Sequence, residues 1–411
     1  MLSTRSATAL YVGAVLGPGV LFLPALAAEI AGPASFLAWA GLLALSVPLA
    51  LTFAALGVRH PEAGGTAAYT KAAFGRRTGS STGWWFLSGV VLGAPAVALI
   101  GGFYVAELLN VGREGAIVAA AAMIAGVIAA NAFGLKTTAR LQLGMAGVLA
   151  ALLLVAVLTA LPETRTENWT PFAPHGWAAV GSAASVLMLS FIGWEAVSHL
   201  AGELPNPARQ LPRAIFSALA IVVVLYLGLA AASVGVLGST PSQVPLADLM
   251  AAGLGETGRT VTAVLAVLLT MGTMNTYVAA SVKLAGALAE EGEAPNALAG
   301  PRKALAAFAI VAAALLTPLA INVLSLDDLI HATNAAFIAV YVTATAAGVR
   351  LLDGSARVAA AIAFVAVVIV FAFSGLFVLV PIAISVSLRM TTTRRRRSRA
   401  RATAAASAVC S

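Results

Sequence analysis

A single cysteine, Cys410, is the only thiol in the 411-residue chain. One thiol excludes an intrachain disulfide, a cysteine-rich metal site and a thioredoxin-like redox motif. Charge is almost as scarce: Asp, Glu, Lys and Arg make up 10% of the residues, against about 25% in a soluble globular domain. The four histidines, His60, His175, His199 and His331, are scattered. An enzyme working at membrane depth needs a nucleophile with its base, paired aspartates or a metal cluster, and the sequence offers none of these patterns. A channel would repeat polar or charged rings along a pore, and these are missing as well. The expectation is therefore a protein that is not an enzyme and holds neither cofactor nor metal.

What fills the chain instead is apolar. Hydrophobic residues make up 60% of it, where about 45–50% is usual, and stretches long enough to cross a bilayer recur along almost its whole length. Spans are expected near 7–31, 34–57, 81–109, 115–134, 141–161, 178–201, 213–237, 258–283, 304–323, 327–348, 357–372 and 374–389, twelve in all, leaving no room for a sizeable soluble domain. Arg5, an apolar core and "ALAAE" imitate a secretory signal, but such a signal delivers a soluble domain and none follows. The net charge of +8 is distributed by topology. Of 24 Lys and Arg residues, only Arg113, Arg165 and Arg259 fall in the loops of one face, and the other 21 fall at the N-terminus, in the alternate loops and in the C-terminal tail. The positive-inside rule then puts both termini in the cytoplasm of a multi-pass cell-membrane protein. The tail "RRRRSRARA" (394–402) reads as a solvated stop against anionic lipid rather than a nucleic-acid arm.

Two spans are interrupted. The first reads "GAVLGPGVLFLPALAAEI" (13–30), with Gly17, Pro18 and Gly19 at its centre. Proline lacks an N–H and glycine is a poor helix former, so the helix should open there. Opened backbone survives in hydrocarbon only against protein or a watery cavity. The sixth span carries Gly193 beside Glu195, a carboxylate that costs about 2.5–3.5 kcal/mol at that depth even on the gentlest scale. Broken helices at matching places in two halves point to an inverted-repeat secondary transporter with its substrate at the midplane. Five spans per half invert the second half. The repeats would cover 7–161 and 178–349, followed by two helices over 357–389 and a disordered basic tail, 390–411.

Half-helix starts offer unpaired N–H groups to a carboxylate, and half-helix ends offer carbonyls to an ammonium. A zwitterion such as an amino acid fits between them. Its carboxylate would meet the N–H groups of Gly19 and Val20, and its ammonium the carbonyls of Ser190, Phe191, Ile192 and Gly193. Trp194 lies deep enough to line the pocket.

The motifs "GPGVLFLP", "HPEAGGTAAYTKAAFG" (60–75), "SFIGWEAVSHLAGELPNPARQLPRA" and "EEGEAP" (290–295) resemble signatures of the amino acid–polyamine–organocation transporters. "TGWWFLSGVVLGAPAVAL" (82–99) is most similar to the bacterial exporters of methionine and branched-chain amino acids. The resemblance implies an all-α fold with a LeuT-like 5+5 inverted-repeat core, helices 1 and 6 broken, two additional helices, alternating access and efflux of methionine, leucine, isoleucine or valine. It leaves import, exchange or a polyamine substrate as alternatives, and it allows a homodimer. Relatives often carry a hydroxyl residue where this chain has Pro18. The arginine-exchanging branch has a tryptophan where this chain has Met188 or Leu189, and an apolar residue there favours an aliphatic substrate.

Several polar residues remain. A buried carboxyl at Glu195 suits proton coupling, with His199 one turn away on the same face and Glu203 facing Arg209 in a short gate loop. A proton gradient is the expected driving force. Sodium, the lesser expectation, would use Thr270, Thr273 and Thr276. Asn275 and Asn334 should tie neighbouring helices, Trp84 and Trp85 should anchor at the interface, and Asp327 and Asp328 should cap a helix.

Overall fold

The computed structural model describes residues 3–60, 65–134, 139–196, 204 and 206–387. His199, Glu203 and the tail from 388 on, with Cys410, lie outside the described residues. The described residues are predominantly helical, with no strand among them.

The first span is two helices, α1 (Thr4–Val15) and α2 (Leu23–Ala31), separated by an extended Gly17 and a 3-10 turn, Pro18–Leu21. Next come α3 (Ser35–Arg59), α4 (Thr66–Phe74), α5 (Arg76–Leu109), α6 (Gly112–Ala132) and α7 (Ala139–Ala160). The sixth span enters as α8 (Ala178–Leu187), passes through a 3-10 turn at Met188–Phe191 and is extended at Ile192. The chain continues with α9 (Pro207–Ala232), α10 (Pro245–Glu290), α11 (Pro301–Ala320), α12 (Leu326–Leu351), α13 (Gly354–Ala372) and the short α14 (Gly375–Ser387).

Nine helices among the described residues are long and apolar enough to cross a membrane. The expected spans that fall short are the first and sixth, which are interrupted, and the last, which is brief. Two expectations change. The segment 60–75, which falls between the expected spans, contains α4, an alanine-rich helix of about two and a half turns closed at both ends by glycines with positive φ, Gly65 and Gly75. The eighth span, expected over 258–283, is the far longer α10, which is kinked at Gly255 (φ 66). Apolar periodicity registers only the part that crosses, not the outer arm Pro245–Leu254.

The 34-residue α5 runs through the middle of the bundle, packed against α6, α10 and α12. At about 1.5 Å per residue it reaches ~51 Å, longer than a hydrocarbon core of about 30 Å, so it projects beyond it. Charged residues gather at the two ends. Arg59–Asp353 (2.6 Å), Lys71–Glu291 (3.0 Å) and Arg76–Glu293 tie loops at one end. At the other, Arg259 bridges Glu107 (2.7 Å) and Asp248 (3.0 Å), and Arg113 donates to the Leu319 carbonyl. Arg259 is thus held near the Leu109 end of α5 and Arg76 stands at the other end. Asp328 closes a capping box with Ser325 at the start of α12.

Candidate functional site

The first break follows from one missing donor. In an unbroken helix, residue 18 would donate to the Ala14 carbonyl and residue 19 to that of Val15. Pro18 has no N–H, and the chain turns away at Leu16 (φ −71, ψ 88). The two freed carbonyls are covered differently, one by packing and one by a hydrogen bond. Gly193 packs on Ala14 so closely that a Cβ there would stand 2.1 Å from the carbonyl oxygen, and its φ of 137° excludes a side chain in any case. The Val15 carbonyl accepts from the Tyr226 hydroxyl at 3.0 Å. Beyond the turn, Tyr104 donates to the Leu21 carbonyl at 2.7 Å.

On the donor side, the Val20 N–H turns back to the Gly17 carbonyl at 3.4 Å. It is not the open donor expected from the sequence. The N–H groups of Gly17 and Gly19 have no acceptor among the described residues, so the open pair is Gly17 and Gly19.

The sixth break is closed by side chains. Asn334 donates to the Val186 carbonyl at 2.8 Å, and Tyr226 reaches the Ser190 carbonyl at 2.9 Å. The Gly193 N–H lies 2.9 Å from a carboxylate oxygen of Glu195 and 3.0 Å from the Tyr341 hydroxyl, which itself donates to Glu195. Glu195 thus ties the break to α12 through Tyr341. The Ser190 carbonyl, assigned from the sequence to an ammonium, is already engaged. Asn275 likewise joins helices, accepting from Asn131 at 2.7 Å.

Between the two breaks lies a cavity with about 70 Å³ open to the centre of a water-sized sphere, several times the roughly 10–15 Å³ that one water needs. Gly17, Pro18 and Gly19 form one wall and Leu189 and Ile192 another. The remainder comes from α5 between Gly89 and Ile100, from Thr273, Met274 and Tyr277 of α10, and from Ile330, Thr333 and Phe337 of α12. No carboxylate or cation lines it among the described residues. Small residues on α5 let α12 approach: a Cβ on Gly89 would stand 2.9 Å from the Phe337 ring, and one on Gly93 3.0 Å from Thr333. The Thr333 hydroxyl is buried with no partner among the described residues.

Of the residues singled out by sequence, Gly17, Pro18, Gly19 and Ile192 line this cavity. Val20, Ser190, Phe191, Gly193 and Trp194 stand behind its wall. Trp194, expected to face the pocket, is fully buried and donates to Ser46 on α3 at 3.1 Å, because the extended backbone at Ile192 rotates the next side chain away from the cavity. Of the two candidates for the selectivity position, Leu189 faces the cavity and Met188 packs in the core. Thr273 lines the cavity, while Thr276 bonds its own helix at Gly272. Glu195 sits behind the wall, half-buried.

Sequence reasoning passed over the tyrosines. Five of the six, Tyr11, Tyr104, Tyr226, Tyr277 and Tyr341, sit inside apolar spans. A phenol at membrane depth needs a partner, and an opened helix nearby supplies carbonyls, so the signal was present.

The amino acid permease family profile matches residues 2–410. The chain is 35% identical over 354 residues to the uncharacterized amino acid permease YecA of Bacillus subtilis (strain 168), covering 84% of each. It is 32% identical over 364 residues to the L-methionine/branched-chain amino acid exporter YjeH of Escherichia coli (strain K12), covering 85% of each. Its fold matches the crystal structure of MhsT in complex with L-phenylalanine with a TM-score of 0.63 at 16% identity, over 91% of this chain and 99% of that one. The profile covers almost the whole chain and both relatives are matched over more than four fifths of their length, so the protein belongs to the amino acid permease family.

Proposed function

We propose that this chain exports neutral L-amino acids, methionine, leucine, isoleucine and valine, across the cell membrane by proton-coupled alternating access, with both termini in the cytoplasm. The observation that carries the reading is the cavity itself: apolar walls, two unengaged N–H groups at Gly17 and Gly19, and no carboxylate or cationic side chain among the described residues of the lining. The substrate carboxylate sits on those two donors, where the 3-10 turn begins and the partial positive charge of its peptides is open. The ammonium turns to oxygens still unengaged, the Thr333 hydroxyl among them. The aliphatic side chain fills the space beside Leu189, Ile192 and Ile330. A polyamine would need deep carboxylates to face its charges, and the wall has none. Glu195 carries the coupling proton, one residue layer behind the substrate.

Flux of radiolabelled amino acids in proteoliposomes, with and without an imposed proton gradient, tests the reading. Methionine and the branched-chain amino acids should move and respond to the gradient, whereas arginine and putrescine should not. Gly19→Leu, which fills the approach to the donors, should abolish flux. Full transport by that variant, or equal transport of putrescine, would overturn the site.

A further inference from the structure

Tyr226 touches both breaks at once. Its hydroxyl lies 3.0 Å from the carbonyl oxygen of Val15 in the first and 2.9 Å from that of Ser190 in the sixth, two residues far apart in sequence. A phenol has one proton to share between these two acceptors. The ring is held in place by aromatic neighbours: Trp39 packs edge-on at 5.1 Å and Phe191 at 5.3 Å, with Trp39 and Phe191 themselves 5.8 Å apart. Tyr226 and Trp39 are essentially inaccessible to solvent. Beside them the Ser190 hydroxyl is buried with no partner among the described residues.

Two converging backbone carbonyls, one from each unwound stretch, with a hydroxyl close by, are the kind of oxygen set that holds a coupling cation in transporters built on broken helices. Here the space between the carbonyls is filled by a proton on a side chain. We propose that the Tyr226 hydroxyl stands in for a bridging cation: it draws the two breaks together and makes assembly of the substrate site independent of sodium. Phe191 then acts as a positioning residue through the ring of Tyr226, which is why it stands behind the cavity rather than in it. This rests on the reading of the cavity as an amino acid site, and it adds the question of what clamps that site shut.

The decisive variant is Tyr226→Phe, which keeps the ring and removes only the O–H. Two carbonyls at membrane depth then lack a donor, and the gap between them is the size of the lost oxygen. For the wild-type protein in detergent, replacing choline chloride by sodium chloride should leave the thermal midpoint and leucine binding unchanged. For Tyr226→Phe, leucine affinity in choline should fall about tenfold, the equivalent of one lost buried hydrogen bond, and sodium or lithium should raise the midpoint and restore part of the affinity. A merely structural tyrosine would show the loss without the cation response. Wild-type affinity for Tyr226→Phe, identical behaviour of the variant in both salts, or sodium-dependent leucine binding by the wild type would each overturn the proposal. Should the variant not be recovered folded, sodium-dependent leucine binding by the wild type would still overturn the proposal. If neither protein binds leucine, the amino acid reading fails while the midpoints still test the clamp.

Discussion

The two broken helices look alike in sequence and behave differently in the structure. At the first, Pro18 removes a donor and the chain answers with backbone left open: Gly17 and Gly19 line a cavity, and their N–H groups have no acceptor among the described residues. At the sixth, every group just described is tied, Val186 by Asn334, Ser190 by Tyr226, and Gly193 by Glu195 with Tyr341. One break keeps donors open and the other is fastened. The difference teaches that an unwound helix is not by itself a binding site. What decides is whether the surrounding helices spend their polar side chains on closing it.

The sharpest way to break this comparison is to add one methyl group to each break. Gly193→Ala must place a Cβ 2.1 Å from the Ala14 carbonyl oxygen at a φ of 137°. Such backbone alone costs about 1–3 kcal/mol for a residue with a side chain, and the steric overlap with fixed backbone adds to it. Folded, monodisperse protein should be lost. Gly19→Ala brings its Cβ 2.9 Å from the Ser190 hydroxyl, a group with no partner to give up, so the protein should fold and bind substrate more weakly. Size-exclusion profiles and thermal midpoints of the pair check this, and equal folding of both would remove the distinction.

A smaller and more selective effect is expected at Glu195. Glu195→Gln retains an oxygen for the Gly193 N–H and the Tyr341 hydroxyl, so the fastening persists, but it removes titration. The variant should exchange substrate across a membrane yet no longer accumulate it under an imposed proton gradient. Proton-driven uphill transport at the wild-type rate would make Glu195 a fastener only.

The smallest effect should come from Ser46→Ala. The Trp194 indole N–H then loses its acceptor, a cost of about 1–3 kcal/mol for a buried unsatisfied donor, visible as a lower thermal midpoint. Substrate affinity should not change. A change would return Trp194 to the site from which its burial removes it.

Much of the architecture is legible in the sequence because a bilayer leaves few options. Apolar stretches must be helices there, since every backbone group has to be paired within the segment, and cations sort to one face. The interruption at Pro18 is legible for the same reason, because a residue without an N–H opens a helix wherever it stands. Within the site the sequence names Gly17, Pro18, Gly19, Ile192 and Leu189, residues that do line the cavity. It errs on Val20 and Trp194, whose roles depend on a local turn and a rotated backbone that composition does not register. Gly89, Gly93, Thr333 and Phe337 lie on α5 and α12, and nothing in their local sequence marks which face of those helices meets the breaks.

By itself, then, the chain's pattern determined the spans, the two breaks and the apolar character of the residues between them, because each depends on interactions within a few residues or with the lipid. Only the tertiary structure decided which freed groups stay open. Tyr226 lies 211 positions from Val15 and 36 from Ser190, and Tyr341 lies 146 from Glu195. A carbonyl released by a broken helix is satisfied by whatever donor folding brings within about 3 Å, and that partner is set by packing across the bundle rather than by the residues around the break.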